Sequence, residues 1–473
     1  MEKHTDMMRT NTKWIWIVAL LMAAPIAEAQ LVSPVDFMRL NPYQTNRNVA
    51  TELPYDCYFS PGIGNFAMDM QYSHLGIRDL FKMRSFDLKS LLDVMEDENG
   101  FSIDLNHNLQ SFGIRVGDGI LSLNHNYRVR GNASFNYCLF KLLAYGNMAF
   151  LGEDNPATVY LDLDTQAFHE YALGYQLNVV DRLSLGIRAK LLFGIADLTT
   201  DAFGMMLYTD PESYALYVQE DIGLRFSLPR KFQLEDGSLT AQGPFGLSDF
   251  YHNRGFGFDL AVGFHINDRF SMTMAVNDLG HIRWYENNME ISGVISDDGQ
   301  YCEEGTLVFQ GFDADKFKQF FSDKAYRKAV MDTLNECFDL HTSVIGDYTT
   351  KLPTNFLLRG SFDLNEQNRF VAQFQGCFTG NGFRPAMTLA YNGCFFDKID
   401  LCGTYTITKG SMANLGFGLG FKFGAFQMYA ASSNWLNLSI GGTTVRNYQA
   451  GIVFSLGQAE KRGFGGRSPI YMD

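Results

Sequence analysis

Residues that could do chemistry are present in this chain but are not grouped as a reaction requires. Asp236-Gly237-Ser238-Leu239 comes nearest to a lipolytic serine motif, yet a serine nucleophile needs a base within hydrogen-bond reach and no histidine is placed for it. No G-x-S-x-G elbow, H-E-x-x-H helix or P-loop occurs. Ser238 therefore reads as a turn residue. His125 and His265 fall inside strand-like stretches, where a lone satisfied or lumen-facing histidine is the expected role. Glu303-Glu304 are consecutive and read as a solvated charge run. Cys57, Cys138, Cys302, Cys337, Cys377, Cys394 and Cys402 include no C-x-x-C pair, which argues against zinc or haem. Cys302 and Cys337 share one long segment and are a candidate disulfide in an oxidising compartment, against two unpaired thiols. Cys377, Cys394 and Cys402 read as free thiols. The expectation is a protein that is not an enzyme, with no cofactor and no metal site.

Composition narrows the class. Aromatics make up 14% of the 473 residues, with 41 Phe, 23 Tyr and 45 Gly, too many for a disordered chain. Seven cysteines are too few for a disulfide scaffold. The formal charge is −14 without a basic cluster, so nucleic acid, whose phosphates must be neutralised, is not an expected partner.

The first residues predict export. Lys3, Arg9 and Lys13 precede the apolar run Trp14–Ala24, and Ala27-Glu28-Ala29 offers small residues for cleavage before Gln30. This is the layout of a secretory signal peptide over 1–29, and the run is too short for a membrane anchor.

The rest of the chain alternates with period two. Leu183, Leu185, Ile187, Ala189 and Leu191 oppose Ser184, Gly186, Arg188 and Lys190; Phe256, Phe258, Leu260, Val262 and Phe264 oppose Gly257, Asp259, Ala261, Gly263 and His265. Leu415, Phe417, Leu419 and Phe421 oppose Gly416, Gly418, Gly420 and Lys422. This is the signature of β-strands with two unlike faces. Short polar turns such as Asp181-Arg182 and Asn267-Asp268-Arg269 join them as antiparallel hairpins.

A soluble sandwich would turn the apolar faces inward; a transmembrane barrel turns them to lipid. Strand lengths of about 9–11 residues, Phe/Leu faces backed by Gly, and alternation of tight and long connections favour the barrel. The expected fold is all-β: a transmembrane antiparallel barrel of about 14 strands, within 12–16, counted from about residue 120. It spans 30–457, with a plug or rim segment over 30–118, an extracellular insert over 279–354 and a periplasmic tail over 458–473. Tight turns are taken as periplasmic. The polar faces then bring Arg188, Lys190, Arg225, Asp259, Arg359, Gln373, Gln375, Asp400 and Lys422 into the lumen. Within the insert, Asp313–Glu336 has helical period, with Phe317, Phe320, Phe321, Val330 and Leu334 on the apolar stripe. That helix either packs on the rim or acts as a lid or docking element. A second helix is expected over Phe140–Met148.

Several segments carry a resemblance. They are Leu53-Pro54-Tyr55 leading to Phe59-Ser60-Pro61-Gly62-Ile63-Gly64-Asn65, then Ser111-Phe112-Gly113-Ile114-Arg115, Leu139 to Asn147, Glu170 to Tyr175, and Asp181 to Gly194. Asp278-Leu279-Gly280 with Trp284, and Lys351-Leu352-Pro353, complete the set. Together they resemble a Bacteroidota family of outer-membrane barrels of unknown function, distantly similar to FadL-like fatty-acid channels and to the PorV and PorQ barrels of type IX secretion. The resemblance implies an outer-membrane location in a Gram-negative bacterium, with membrane lipid around the barrel. It implies either passage or binding of a hydrophobic or amphiphilic small molecule, or a PorV-like scaffold that docks a surface or secretion-system protein.

Overall fold

The computed structural model describes residues 32–62, 64–73, 95–229, 232–235, 238–241, 251–301, 341–379, 382–408, 411–435 and 443–457, with a few single positions at 89–93 and 311–329. Hairpin follows hairpin, because each period-two run ends in a tight polar turn. The strands are β1 (Cys57–Ser60), β2 (Asn65–Ser73), β3 (Glu98–Val116), β4 (Gly119–Asn136), β5 (Ala157–Val180), β6 (Leu183–Thr209) and β7 (Leu216–Ser227). Then come β8 (Phe232–Glu235), β9 (Ser238–Ala241), β10 (Asn253–His265), β11 (Phe270–Trp284), β12 (Asn288–Tyr301), β13 (His341–Val344), β14 (Tyr348–Lys351) and β15 (Thr354–Asp363). The last are β16 (Asn368–Thr379), β17 (Gly382–Phe395), β18 (Ile399–Thr408), β19 (Ser411–Phe423), β20 (Phe426–Ser432) and β21 (Thr443–Leu456).

Every paired neighbour is antiparallel, and β21 closes on the start of the chain with Cys57 opposite Leu456 and Asn65 opposite Gly451. The result is a closed barrel of 14 strands, in which β1 and β2 share one wall position against β3 and β21. Closure leaves no free edge. The wall starts at Cys57, earlier than the expected count from residue 120: β1, β2 and β3 precede that point. A register shift between Asn108 and Gln110 in β3 interrupts the alternation there and hides the strand.

The expected plug or rim over 30–118 is therefore corrected. Among the described residues of that span, 32–56 lies inside, while 57–60, 65–73 and 98–116 are wall. Two 3-10 turns, Pro34–Phe37 and Pro42–Asn46, give this inner segment its shape, each opened by a side-chain cap (Ser33, Asn41) and a proline.

The expected insert 279–354 also differs. β11 continues to Trp284, and β12, β13 and β14 lie within the rest. β6 is 27 residues long, roughly 90 Å of strand, far more than a bilayer needs. Its first half pairs with β10 (Leu183–Gly194) and its second half with β7 (Asp197–Thr209). β12 adds to β7 and β13 to β12. The wall thus extends past the barrel as a sheet above the long-loop end.

Of the expected helix 313–336, Asp315, Lys316, Gln319, Ala325, Tyr326 and Ala329 are helical. Asp323 is not, and its carboxylate accepts from the N–H groups of Ala325 (2.9 Å) and Tyr326 (3.2 Å), capping a new turn. Phe317, Phe320, Phe321, Val330 and Leu334 lie outside the described residues, as do Cys302, Cys337, residues 1–29 and the tail 458–473. The second expected helix forms as α1 (Tyr137–Tyr145) at the long-loop end; Asn136 caps it and Gly146, at φ 75°, ends it. Among the described residues, no helix is long and apolar enough to cross a membrane.

Candidate functional site

The barrel is inverted relative to a soluble protein. Leu191, Leu173, Ile187 and Leu389 are more than half exposed on the outside, while Asp259, Asp400, Thr388 and Asn392 are fully enclosed. The interior has three levels.

At the tight-turn end sits the segment 32–56. Val32, Val35, Phe37, Met38, Tyr43 and Tyr55 pack against Val371, Ala390, Cys402, Tyr429 and Val453 of the wall. Small inner-face residues admit it: a Cβ at Gly186 would overlap the backbone of Val49 and Ala50. Polar ties fix it. Arg39 donates to the Asn392 side chain (3.0 Å) and to the carbonyls of Glu366 and Gln367. The Leu40 N–H donates to Asp400 (2.8 Å), and Arg188 donates to the carbonyl of Thr45 (2.9 Å). Arg359 lies over the Phe37 ring at 4.9 Å and donates to Gln373 (2.8 Å), which in turn donates to Gln375. Lys422 lies over the Tyr55 ring at 4.5 Å.

Above it lies a layer of charge. A register shift in β11 opposite Phe258 and Leu260 is a bulge that gives Asp278 a φ of 61° and turns both Asn277 and Asp278 inward. Asp278 then meets Lys190 (2.6 Å), Arg128 (2.9 Å) and Arg130 (3.2 Å). Lys190 also meets Asp259 (2.7 Å), Arg128 meets Glu170 (2.9 Å), Arg188 meets Asp259 (3.4 Å) and Arg130 meets Asp104 (3.2 Å). Formal charges cancel, four cations to four acids. A buried charge is tolerable only when it is paired; every member here has an ion-pair partner, while Nε of Arg128, Arg130 and Arg188 and one Nη of Arg130 make no hydrogen bond within the protein. A cavity of about 80 Å³ remains, lined by these groups other than Asp259 and by Asp36, Tyr43, Arg47 and Asp69. It has room for roughly five to eight waters, too little for a hydrocarbon guest.

Over the charge layer lies an apolar one. Phe168, Leu192, Ile282, Trp284 and Leu352 are buried together, with Tyr348 packed against them. Trp284 fits because Gly194 faces it, where a Cβ would strike the indole; its Nε1 donates to Thr350 (2.7 Å).

Eight of the nine residues read as lumen-facing belong to the first two levels. Arg225 stands apart on β7, above the barrel, ion-paired with Asp201 (2.9 Å) and 4.4 Å over the Tyr348 ring. Asp104, Arg128, Arg130, Glu170 and Asp278 were not among the residues expected in the lumen. Arg128, Arg130 and Glu170 were legible by parity, Arg128 and Arg130 already standing on the polar face of β4; Asp104 was masked with β3 and Asp278 was hidden by its bulge. Ser238 is the first residue of strand β9, its backbone opposite Glu235 of β8. Cys377, Cys394 and Cys402 are buried free thiols. His125 corrects the expectation of a lone or lumen-facing histidine: it points outward, 3.2 Å from His169 and stacked on Tyr171. Among the described residues no cluster of three His, Cys, Asp or Glu could hold a metal.

Residues 50–433 match a family of unknown function, DUF5723, and the chain belongs to it. No curated protein matches the chain. Among solved structures, the chain is similar to the Ralstonia pickettii toluene transporter TbuX, at 9% identity and TM-score 0.44 over 89% of this chain and 94% of that one. It is also similar to a Pseudomonas aeruginosa FadL homologue, at 10% identity and TM-score 0.43 over 91% and 98%. The Pseudomonas putida toluene transporter TodX stands at 9% and 0.42 over 87% and 92%.

Proposed function

We propose that this DUF5723 member is an outer-membrane β-barrel, exported by a cleaved signal peptide, whose lumen is stoppered by its own N-terminal segment and which binds or passes a small hydrophobic or amphiphilic molecule. The outward Phe and Leu faces support the membrane location, since an apolar belt of this extent would aggregate in water. Tight turns at one end and long connections at the other support an orientation with the long-loop end outside. The three-level interior carries the functional reading. A ligand arriving from outside meets an apolar layer around Trp284 first, and the charge layer and the stopper bar the way beyond. Binding is therefore assigned to the apolar layer, and passage to a state in which residues 32–56 have shifted.

Mass spectrometry of the detergent-extracted protein tests this. The expected result is a co-purifying apolar or amphiphilic molecule, lost in Trp284→Ala. A stoichiometric protein partner lost on deleting 313–336, with no ligand found, would instead support the scaffold role and overturn passage.

A further inference from the structure

The outer surface carries a second feature, at the upper border of the apolar belt. On β10 and β11, Arg254 and Arg283 are direct cross-strand partners, and His281 is the direct partner of Lys351 on β14. All four point outward on one face of the wall. Direct partners in an antiparallel pair lie about 5 Å apart at Cα, and like charges there repel. Arg283 is relieved by Asp347 at 2.7 Å. Among the described residues, neither Arg254 nor Lys351 has a carboxylate partner. The block is cationic in a chain of net charge −14, so no general surplus of basic residues explains it.

Its position names the occupant. One step down the same strands lie Phe256, Phe258 and Leu279, each exposed by more than two-fifths; the ring of Phe256 meets His281 edge-on at 4.4 Å. To one side the belt ends in Tyr171, Tyr251, His125 and His169, packed ring against ring, amphipathic groups of the kind that sit at a membrane interface. Cations immediately above an apolar wall match a molecule with phosphate above acyl chains.

We propose that Arg254, His281, Arg283 and Lys351 form a docking site for the phosphate of an anionic lipid in the outer leaflet, whose acyl chains lie along Phe256, Phe258 and Leu279. Charge-assisted bonds to phosphate are the strong ones, and arginine grips phosphate in bidentate fashion. One phosphate between the cations removes the like-charge repulsion that the bare wall carries. The site rests on the membrane reading but is independent of the lumen.

The test uses the full chain in detergent. Diphosphorylated lipid A and, separately, phosphatidylcholine are added, and retention is read by native mass spectrometry. Wild type should keep lipid A and not phosphatidylcholine. The Arg254→Gln/Lys351→Gln double variant should retain at least about tenfold less lipid A, while Lys398→Gln, at the tight-turn end, should match wild type. Heat-modifiable migration after insertion into phosphatidylcholine vesicles is measured on the same samples. Insertion with equal lipid A retention in wild type and double variant overturns the docking site alone. Failure of wild type to insert overturns the membrane reading and the site with it.

Discussion

Two ion pairs of nearly equal length sit in two different regions. Inside the barrel, Lys190 and Asp259 are 2.7 Å apart with side chains 5% and 0% exposed. On the outside, beside the strand extension, Arg283 and Asp347 are also 2.7 Å apart, at 64% and 44%. Distance does not separate them; surroundings do. The inner pair is one link of a closed network, and loss of a member strands a buried charge. The outer pair exchanges with water. The lumen pairs are thus mutually dependent and shielded from water, whereas pairs at the strand extension built from β7, β12 and β13 should tolerate change.

Substitutions should expose that contrast. The largest effect is expected for Asp278→Ala, which leaves Arg128, Arg130 and Lys190 short of a partner. Breaking a buried pair in this way costs about 3–5 kcal/mol, read as a fall in the urea midpoint of the vesicle-inserted barrel. An unchanged midpoint would mean that water already screens the layer. Next comes Trp284→Ala, an aromatic truncation in the apolar layer. It should cost about 3–4 kcal/mol by the same measurement, and a loss below about 1 kcal/mol would show that the layer is loosely packed. Gly186→Val pushes a side chain into the backbone at Val49–Ala50, and such overpacking costs about 1–3 kcal/mol. Its sharper consequence is a displaced stopper, visible as faster protease cleavage between residues 32 and 56. At the small end, Asp201→Ala breaks only the half-exposed pair with Arg225 and should change stability by about 0–1 kcal/mol. A loss comparable to that of Asp278→Ala would erase the distinction between the two regions.

The barrel was legible because its period is local. Each strand announces its faces, and the outward Leu and Phe of β6 and β10 point where parity put them. What parity could not show was anything produced by a departure from it. The bulge at Asn277–Asp278 moves an acid from one face to the other, and the shift at Asn108–Gln110 masks β3. The stopper has no period at all. Val32 to Asp56 reads as irregular chain, and its role follows only from contacts with residues hundreds of positions away, such as Arg39 with Asn392 and Ser433 with Val32. The strand extension was read as a loop because β12 pairs with β7, β13 with β12 and β14 with β11 across intervening segments. The outward side of His125 was legible, since it shares parity with Leu123 and Tyr127. Its partner His169 was not, because it lies on the next strand and cross-strand pairs are invisible in one sequence.

Closure of the lumen by residues 32–56 is open to single-channel recording in planar bilayers. Three proteins are compared, each first shown to be folded by heat-modifiable migration: wild type, Gly186→Val, and Arg39→Ala, which removes the side-chain donors to Asn392, Glu366 and Gln367. A silent wild type and discrete ion-conducting steps in both variants are expected. Steady conductance from wild type, or variants as silent as wild type, would contradict it.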